Sequence, residues 1–384
     1  MSIRIGIHDL SLATAGYVLD LADLAAATGV DPDKFRIGLG QDEMSVPGPD
    51  EDIVTMGAAA ARPILERHGS DRIRTLMFAT ESGIDQSKSA AVFAHALLGL
   101  PGTCRAVELK QACYAATAAL QAALGIVARN PEEQVLVIAS DIARYEVDTA
   151  AEPTQGAGAV AFLVAADPAL VEIEPVVGVH TADVSDFWRP NDSATAVVDG
   201  KLSIDAYLDG LTAAWDDFRE RGGVDIGEID RFCHHQPFTR MAAKAHRRMA
   251  EHTGVELDVS RYETSTVYNR RMGNSYTASL YAGLAALLDF DDELSGRRIG
   301  FLSYGSGSVT EFFTGVVSAD YREYRRGAET AQRLDDRVPV GVDRYRALHA
   351  AGSVSSAEDL EIAPETGGPF HFAGIRDRAR QYRA

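Results

Sequence analysis

Glu108 to Leu124 reads ELKQACYAATAALQAAL, and its reading decides the fold class. The segment begins at the end of a short apolar run, 105–109, and passes through Cys113 into an Ala-rich stretch, 114–129, with helical spacing. A strand-like run followed directly by such a helix is one βα unit. The alternation continues on both sides. Upstream, 3–7 and 75–79 read as strands and 52–68 as a helix. Downstream, 135–140 and 159–165 read as buried strands, the second entered through the turn QGAGA at 155–159, where glycine removes the Cβ penalty. The stretch 180–203 is polar and irregular, after which 229–233 and 299–303 read as strands and 239–252 and 276–288 as helices. Two halves of similar βα content, 1–167 and 168–384, predict a pseudo-duplicated, layered α/β protein. Residues from about 323 onward are charged and weakly periodic, and read as a helical cap or a partly mobile tail.

The 384 residues are 46% hydrophobic, enough for a large core, and carry a formal net charge of −19. That charge argues against nucleic-acid and anionic-membrane partners, which need a cationic field. An anionic ligand must therefore meet a local basic patch. The opening MSIRIGIHDLSLA lacks a basic region followed by an apolar one, and no run reaches the ~20 apolar residues of a membrane span, so a cytoplasmic location is expected. Three cysteines, at 104, 113 and 233, are too few for a disulfide framework. Cys233, His234 and His235 lack the spacing of a metal site, so no metal is expected.

Cys113 lies at a strand-to-helix junction, where free amides and the helix dipole are expected to favour thiolate and to cradle an oxyanion. An inert core cysteine is the plain alternative. Glu81, in FATESGIDQSKS, follows an apolar strand, where a carboxyl shielded from water gains a raised pKa and can exchange protons with a carbon acid. A helix-initiating acid is its plain alternative. His235, in RFCHHQPFTRM, follows a strand and precedes a helix; strand alternation sends His234 and His235 to opposite faces, so only one can meet Cys113. Asn274 follows Gly273 at a helix entry, as an N-cap would. Tyr304 to Ser308, YGSGS, is either a hairpin turn or a loop whose amides approach a thioester.

With these motifs on view, the chain resembles bacterial 3-hydroxy-3-methylglutaryl-CoA synthases. The matching segments run in order along almost the whole sequence: RIGLGQDEMSVP, DEDIVTMGAAAA, FATESGIDQSKSA, LLGLPGTCRAVELKQACYAATAAL, EPTQGAGAVAFLV, DFWRPN, VDGKLSIDAYLDG, HHQPFTRMAAKA, GNSYTASLY, SYGSGSVTEF and GPFHFAGIRDRARQY. The resemblance implies a thiolase fold of five αβαβα layers, a homodimer, and no metal or redox cofactor. It implies that acetyl-CoA and acetoacetyl-CoA are condensed for the mevalonate pathway of isoprenoid synthesis. By position it makes Cys113 the acyl-accepting nucleophile, Glu81 the general acid/base and His235 the group that polarises acetoacetyl-CoA. Asn274 and Ser306 correspond to groups near the acyl chain and oxyanion, and Tyr145, Thr154, Ser203 and Lys244 to positions that hold substrate. Lys244, with Arg240, Arg247 and Arg248 on one helix, supplies the expected basic patch. His234 is a departure, since relatives often have an aromatic or apolar residue there.

Three other readings compete. A β-branching synthase of polyketide assembly shares these residues but takes its ketone from an acyl carrier protein. A Cys-His-Asn hydrolase suits the order Cys113, His235, Asn274 and leaves Glu81 unexplained. A non-catalytic dimeric binding protein requires a Cys113 of ordinary reactivity.

Overall fold

Strands rich in apolar residues on both faces need cover on both faces. The computed structural model describes residues 3–352 and 354–384 and shows how that cover is built. Among those residues, nine strands join in one sheet: β1 (Ile5–Thr14), β2 (Ile73–Ala79), β3 (Arg105–Leu109), β4 (Gln134–Ala143), β5 (Gly156–Ala166), β6 (Val171–Thr181), β7 (Arg231–His234), β8 (Arg298–Gly305) and β9 (Val309–Val317). Their spatial order is β7-β8-β9-β6-β1-β5-β4-β2-β3.

The strand period of two divides the core. In β2, Leu76 and Phe78 pack beneath α1 (Ile53–His68) and α2 (Ala90–Leu97), whereas Met77 and Ala79 face α3 (Ala115–Arg129). In the second half, Phe232 and Leu302 pack beneath α4 (Gly200–Glu220) and α5 (Arg240–Thr253), while Cys233 and Phe301 face α6 (Ser279–Phe290). The layers are therefore α1 and α2, first-half strands, α3 and α6, second-half strands, α4 and α5. Helix α3 uses Ala116, Ala119, Leu120 and Ala123 as its buried stripe, and these small side chains let the central layer pack closely. By length and composition 112–129 would pass for a membrane span; in the fold it forms the foot and body of this central helix.

The pairing pattern repeats. β1 runs antiparallel to β5, β5 antiparallel to β4, and β4 parallel to β2. β6 runs antiparallel to β9, β9 antiparallel to β8, and β8 parallel to β7. The halves meet where Gly6 lies opposite Glu172, and a Cβ at Gly6 would sit 2.0 Å from the Val171 carbonyl, so only glycine fits the join. Consequently β2 and β7 are equivalent strands, and their carboxyl ends carry Glu81 and His235.

The segment beyond 323, grouped by sequence with the second half, bonds to Asp289, Asp292 and Arg271 of that half near its start and otherwise packs on the first. Arg326 donates to the buried carboxylate of Asp9, Asp50 accepts from the Glu365 and Thr366 amides and pairs with His371, and Asp52 accepts from Arg380 and Tyr382.

Candidate active site

A cavity of about 610 Å³ opens between the two halves. Cys113, 9% exposed, forms part of its floor. The residue before it, Ala112, has φ 43°, a left-handed conformation that is costly for any residue with a Cβ. That turn lets the chain leave β3 and enter α3 with the thiol facing the cavity. Cys113 Sγ lies 3.8 Å from Glu81 Oε2. His235, 1% exposed, lines the same cavity; its carbonyl accepts from Tyr207, whose ring stacks on the imidazole at 6.4 Å. His234 points away, toward His246 and Tyr262.

The remaining candidates line this cavity too. Asn274 donates to the Tyr145 hydroxyl at 3.1 Å and accepts from the Tyr276 amide at 2.9 Å, so it caps a short turn and shapes the wall at once. Thr154 lines the wall, but its hydroxyl proton is committed to the Ala151 carbonyl. A Cβ at Gly273 would lie 1.9 Å from the Gln155 carbonyl, and this close approach brings the Asn274 amide to the Thr154 carbonyl. Ser203 lies in the first turn of α4, Lys244 on α5, and Ser306 in the turn between β8 and β9. Glu81 reaches Cys113 from beside this wall rather than forming part of it.

A family model described as hydroxymethylglutaryl-coenzyme A synthase N terminal matches residues 2–169, and its C-terminal counterpart matches 171–253 and 254–351. The chain belongs to the hydroxymethylglutaryl-CoA synthase family. It is 40% identical to the hydroxymethylglutaryl-CoA synthase of Enterococcus faecalis, covering 99% of this chain and all of that one. It is 33% identical to the polyketide biosynthesis 3-hydroxy-3-methylglutaryl-ACP synthase PksG of Bacillus subtilis, covering 90% of this chain and 88% of the relative. A solved MvaS structure in complex with 3-hydroxy-3-methylglutaryl coenzyme A superposes with a TM-score of 0.91 at 38% identity, covering all of this chain and 99% of the other. The five layers described above are thus the thiolase fold of this acyltransferase family.

Electrostatics revises one expectation. The Cys113 thiol is held well above its ordinary range, by burial first and then by the charges of Glu81, Asp141 and Asp186. Those opposing effects outweigh the helix dipole, so the resting group is a thiol and not a primed thiolate. Burial, followed by the charge of Asp141, pushes Glu81 up to about 8, which leaves it mostly protonated at pH 7. Burial lowers His235 to about 3, so its ring is neutral when substrate arrives. A carboxyl that must lose its proton before acting as a base predicts that condensation from preformed acetyl-enzyme rises with pH through about 8. Single-turnover rates from pH 6 to 9.5 read this directly; a flat profile contradicts it.

The basic patch is also revised. Arg248 pairs with Asp209 and Arg247 approaches Glu251, and only Lys244 of the four lines the cavity. Its Nζ sits 5.3 Å from the Phe238 ring centroid.

Sequence reading missed the acids that hold this synthase-family site together. Asp141, wholly buried, accepts at Oδ1 from Thr80 Oγ1, the Glu81 and Ser82 amides and Ser82 Oγ, and at Oδ2 from the amide and hydroxyl of Thr277. Asp186 accepts from Tyr304 and the Gly307 amide, anchoring the YGSGS turn. The available signal for Asp141 was a lone acid ending the apolar run VLVIAS.

Proposed function

We propose that the chain condenses acetyl-CoA with acetoacetyl-CoA and water, giving 3-hydroxy-3-methylglutaryl-CoA and CoA by way of acetyl-Cys113. The observation that carries this reading is a thiol 3.8 Å from a carboxyl of raised pKa, facing a neutral histidine across one cavity. Cys113 takes the acetyl group while its proton leaves with the CoA thiolate. Glu81 removes a methyl proton, and the amides near Cys113 and Ser306 hold the enolate oxygen. The enolate carbon bonds to the ketone carbon of acetoacetyl-CoA as the ketone oxygen takes up the proton that Glu81 removed, with His235 and Asn274 donating hydrogen bonds to that oxygen. Water then cleaves the Cys113 thioester, leaving one free carboxylate. Tyr145, Thr154 and Ser203 shape the acyl channel, and no cofactor is assigned a step.

Incubation with acetyl-CoA alone should add one acetyl group to the intact mass, and peptide mapping should place it on Cys113. Cys104 and Cys233 are buried among apolar side chains and should stay unlabelled. An acetyl group on either of those overturns the nucleophile assignment, and no acetyl group at all overturns the reading.

The CoA thioester is proposed over the carrier-bound ketone because identity is 40% to the CoA-named relative and 33% to the ACP-named one. Lys244→Ala should raise KM for acetoacetyl-CoA roughly tenfold with less change in kcat, since a phosphate contact binds ground and transition states alike. Steady-state kinetics checks it; acetoacetyl carrier protein reacting while acetoacetyl-CoA stays inert favours the polyketide reading. A homodimer is proposed on the open edge of β3, where Val107 is 43% exposed. A cytosolic location is proposed because the chemistry needs a free thiol, and all three cysteines are unpaired.

A further inference from the structure

Behind Cys113, on the side away from the cavity, lies a buried acid that the reaction does not use. Glu311 on β9 is 2% exposed and projects from the second-half sheet to α3. Its Oε2 accepts from the Tyr114 hydroxyl at 2.6 Å and its Oε1 from Gln121 Nε2 at 2.6 Å. Tyr114 is the residue next to Cys113, and Gln121 lies two turns further along the helix. Glu311 is also three residues beyond Ser308, the end of the YGSGS turn. On the other side of Cys113, Gln111 Nε2 donates to the Ser306 carbonyl at 3.2 Å. A Cβ at Gly305 would lie 2.6 Å from both the Gln111 carbonyl and the Tyr114 nitrogen, so the two backbones are already in contact. The Cys113 loop and the β8–β9 turn belong to different halves of the fold, and Glu311 bridges them.

We infer that Glu311 is a positioning residue that clamps the Cys113 helix to the β8–β9 hairpin and so sets the spacing of the amides that receive the oxyanion. Two short hydrogen bonds to one helix fix both its distance from β9 and its rotation. The apolar stripe of α3 chooses its buried face and its approach, and the two directional bonds narrow both further. The acid touches no substrate, so its loss acts through geometry. An oxyanion site displaced by a fraction of an ångström loses rate without losing affinity.

This inference rests on the proposed synthase reading, and acetylation of the unaltered chain tests that reading separately. Given that acetylation, Glu311→Ala should lower its rate at saturating acetyl-CoA by about tenfold to a hundredfold while KM moves less than about threefold. Glu311→Gln keeps the length and can accept from one partner and donate to the other once the Tyr114 hydroxyl and the Gln121 amide reorient. It should recover acetylation to within about threefold of the parent. Gln121→Leu removes one arm alone and should give an intermediate loss, which keeps the inference testable if Glu311→Ala does not fold. Parent-like acetylation in a folded Glu311→Ala or in Gln121→Leu would overturn the clamp. So would equal loss in the Gln and Ala variants, because that pattern assigns the effect to charge.

Discussion

Glu81→Ala should still form the acetyl-enzyme from acetyl-CoA yet lose carbon–carbon bond formation by ~10² to 10⁴ or more. Acylation needs sulfur nucleophilicity and an oxyanion pocket, and neither is supplied by Glu81. Burial is the leading reason the Cys113 thiol is held high, and Glu81 adds to it only in the fraction that is ionised, so its removal does not hinder deprotonation of Cys113. Condensation differs because a weakly acidic methyl group beside a thioester must give up a proton, and the Glu81 carboxyl is the titratable group within reach of the Cys113 sulfur that can take it. Mass spectrometry after acetyl-CoA alone, and product assay after both substrates, read the two half-reactions separately. Condensation at the parent rate, or a folded variant that fails to acetylate, refutes this division of labour. It also sets the chain apart from a thiol hydrolase, in which Glu81 has no role.

Asp141→Asn should cost both stability and condensation although it changes one atom. Every group around this side chain is a donor, and the wholly buried site offers no water in exchange. An amide nitrogen placed at Oδ2 faces the Thr277 N–H; placed at Oδ1 it faces the Glu81 and Ser82 amides. Either orientation opposes donor to donor, with an expected loss of about 3 kcal/mol in denaturant unfolding. The Glu81 amide is released, so condensation should fall by about a hundredfold even where the variant is fully folded. Parent-like unfolding would show that the hub tolerates the exchange and that hydroxyl reorientation suffices. Loss of activity without loss of stability would move the explanation to Asp141's charge, whose effect on Glu81 has a definite sign. Without that charge the Glu81 pKa falls, and the pH midpoint of condensation moves below about 8.

The two acids illustrate what was legible in the residues. Glu81 could be found because it stands at the end of a strand pattern within a recognisable motif. Asp141 also ends a strand, but its role depends on Thr80, Ser82 and Thr277, the last 136 residues away, meeting at one point. Spacing along a chain does not encode that meeting. The same limit explains the revised thiol. A helix start is visible in AATAALQAAL, and its dipole favours thiolate, but burial and three carboxylates brought from other elements reverse the balance. The arginines of α5 follow the same logic: helical spacing groups them, and acids on their own and neighbouring helices neutralise two of them.

By itself the sequence determined the βα alternation, the five-layer class through its ordered motifs, and the identity of Cys113, Glu81 and His235 as candidates. The alternation and the candidates are consequences of local periodicity and of residue types at strand ends, which are written along the chain, and the five-layer class is what the family resemblance of those motifs implies. Only the tertiary structure decided that β2 and β7 are equivalent strands, delivering Glu81 to the Cys113 sulfur and His235 to the cavity beside it, that His235 and not His234 faces that cavity, and that the thiol rests protonated. It alone decided that Asp141 and Glu311 hold the parts in register. Distances between strands remote in sequence, and the loss of water around charges, arise only when the layers close.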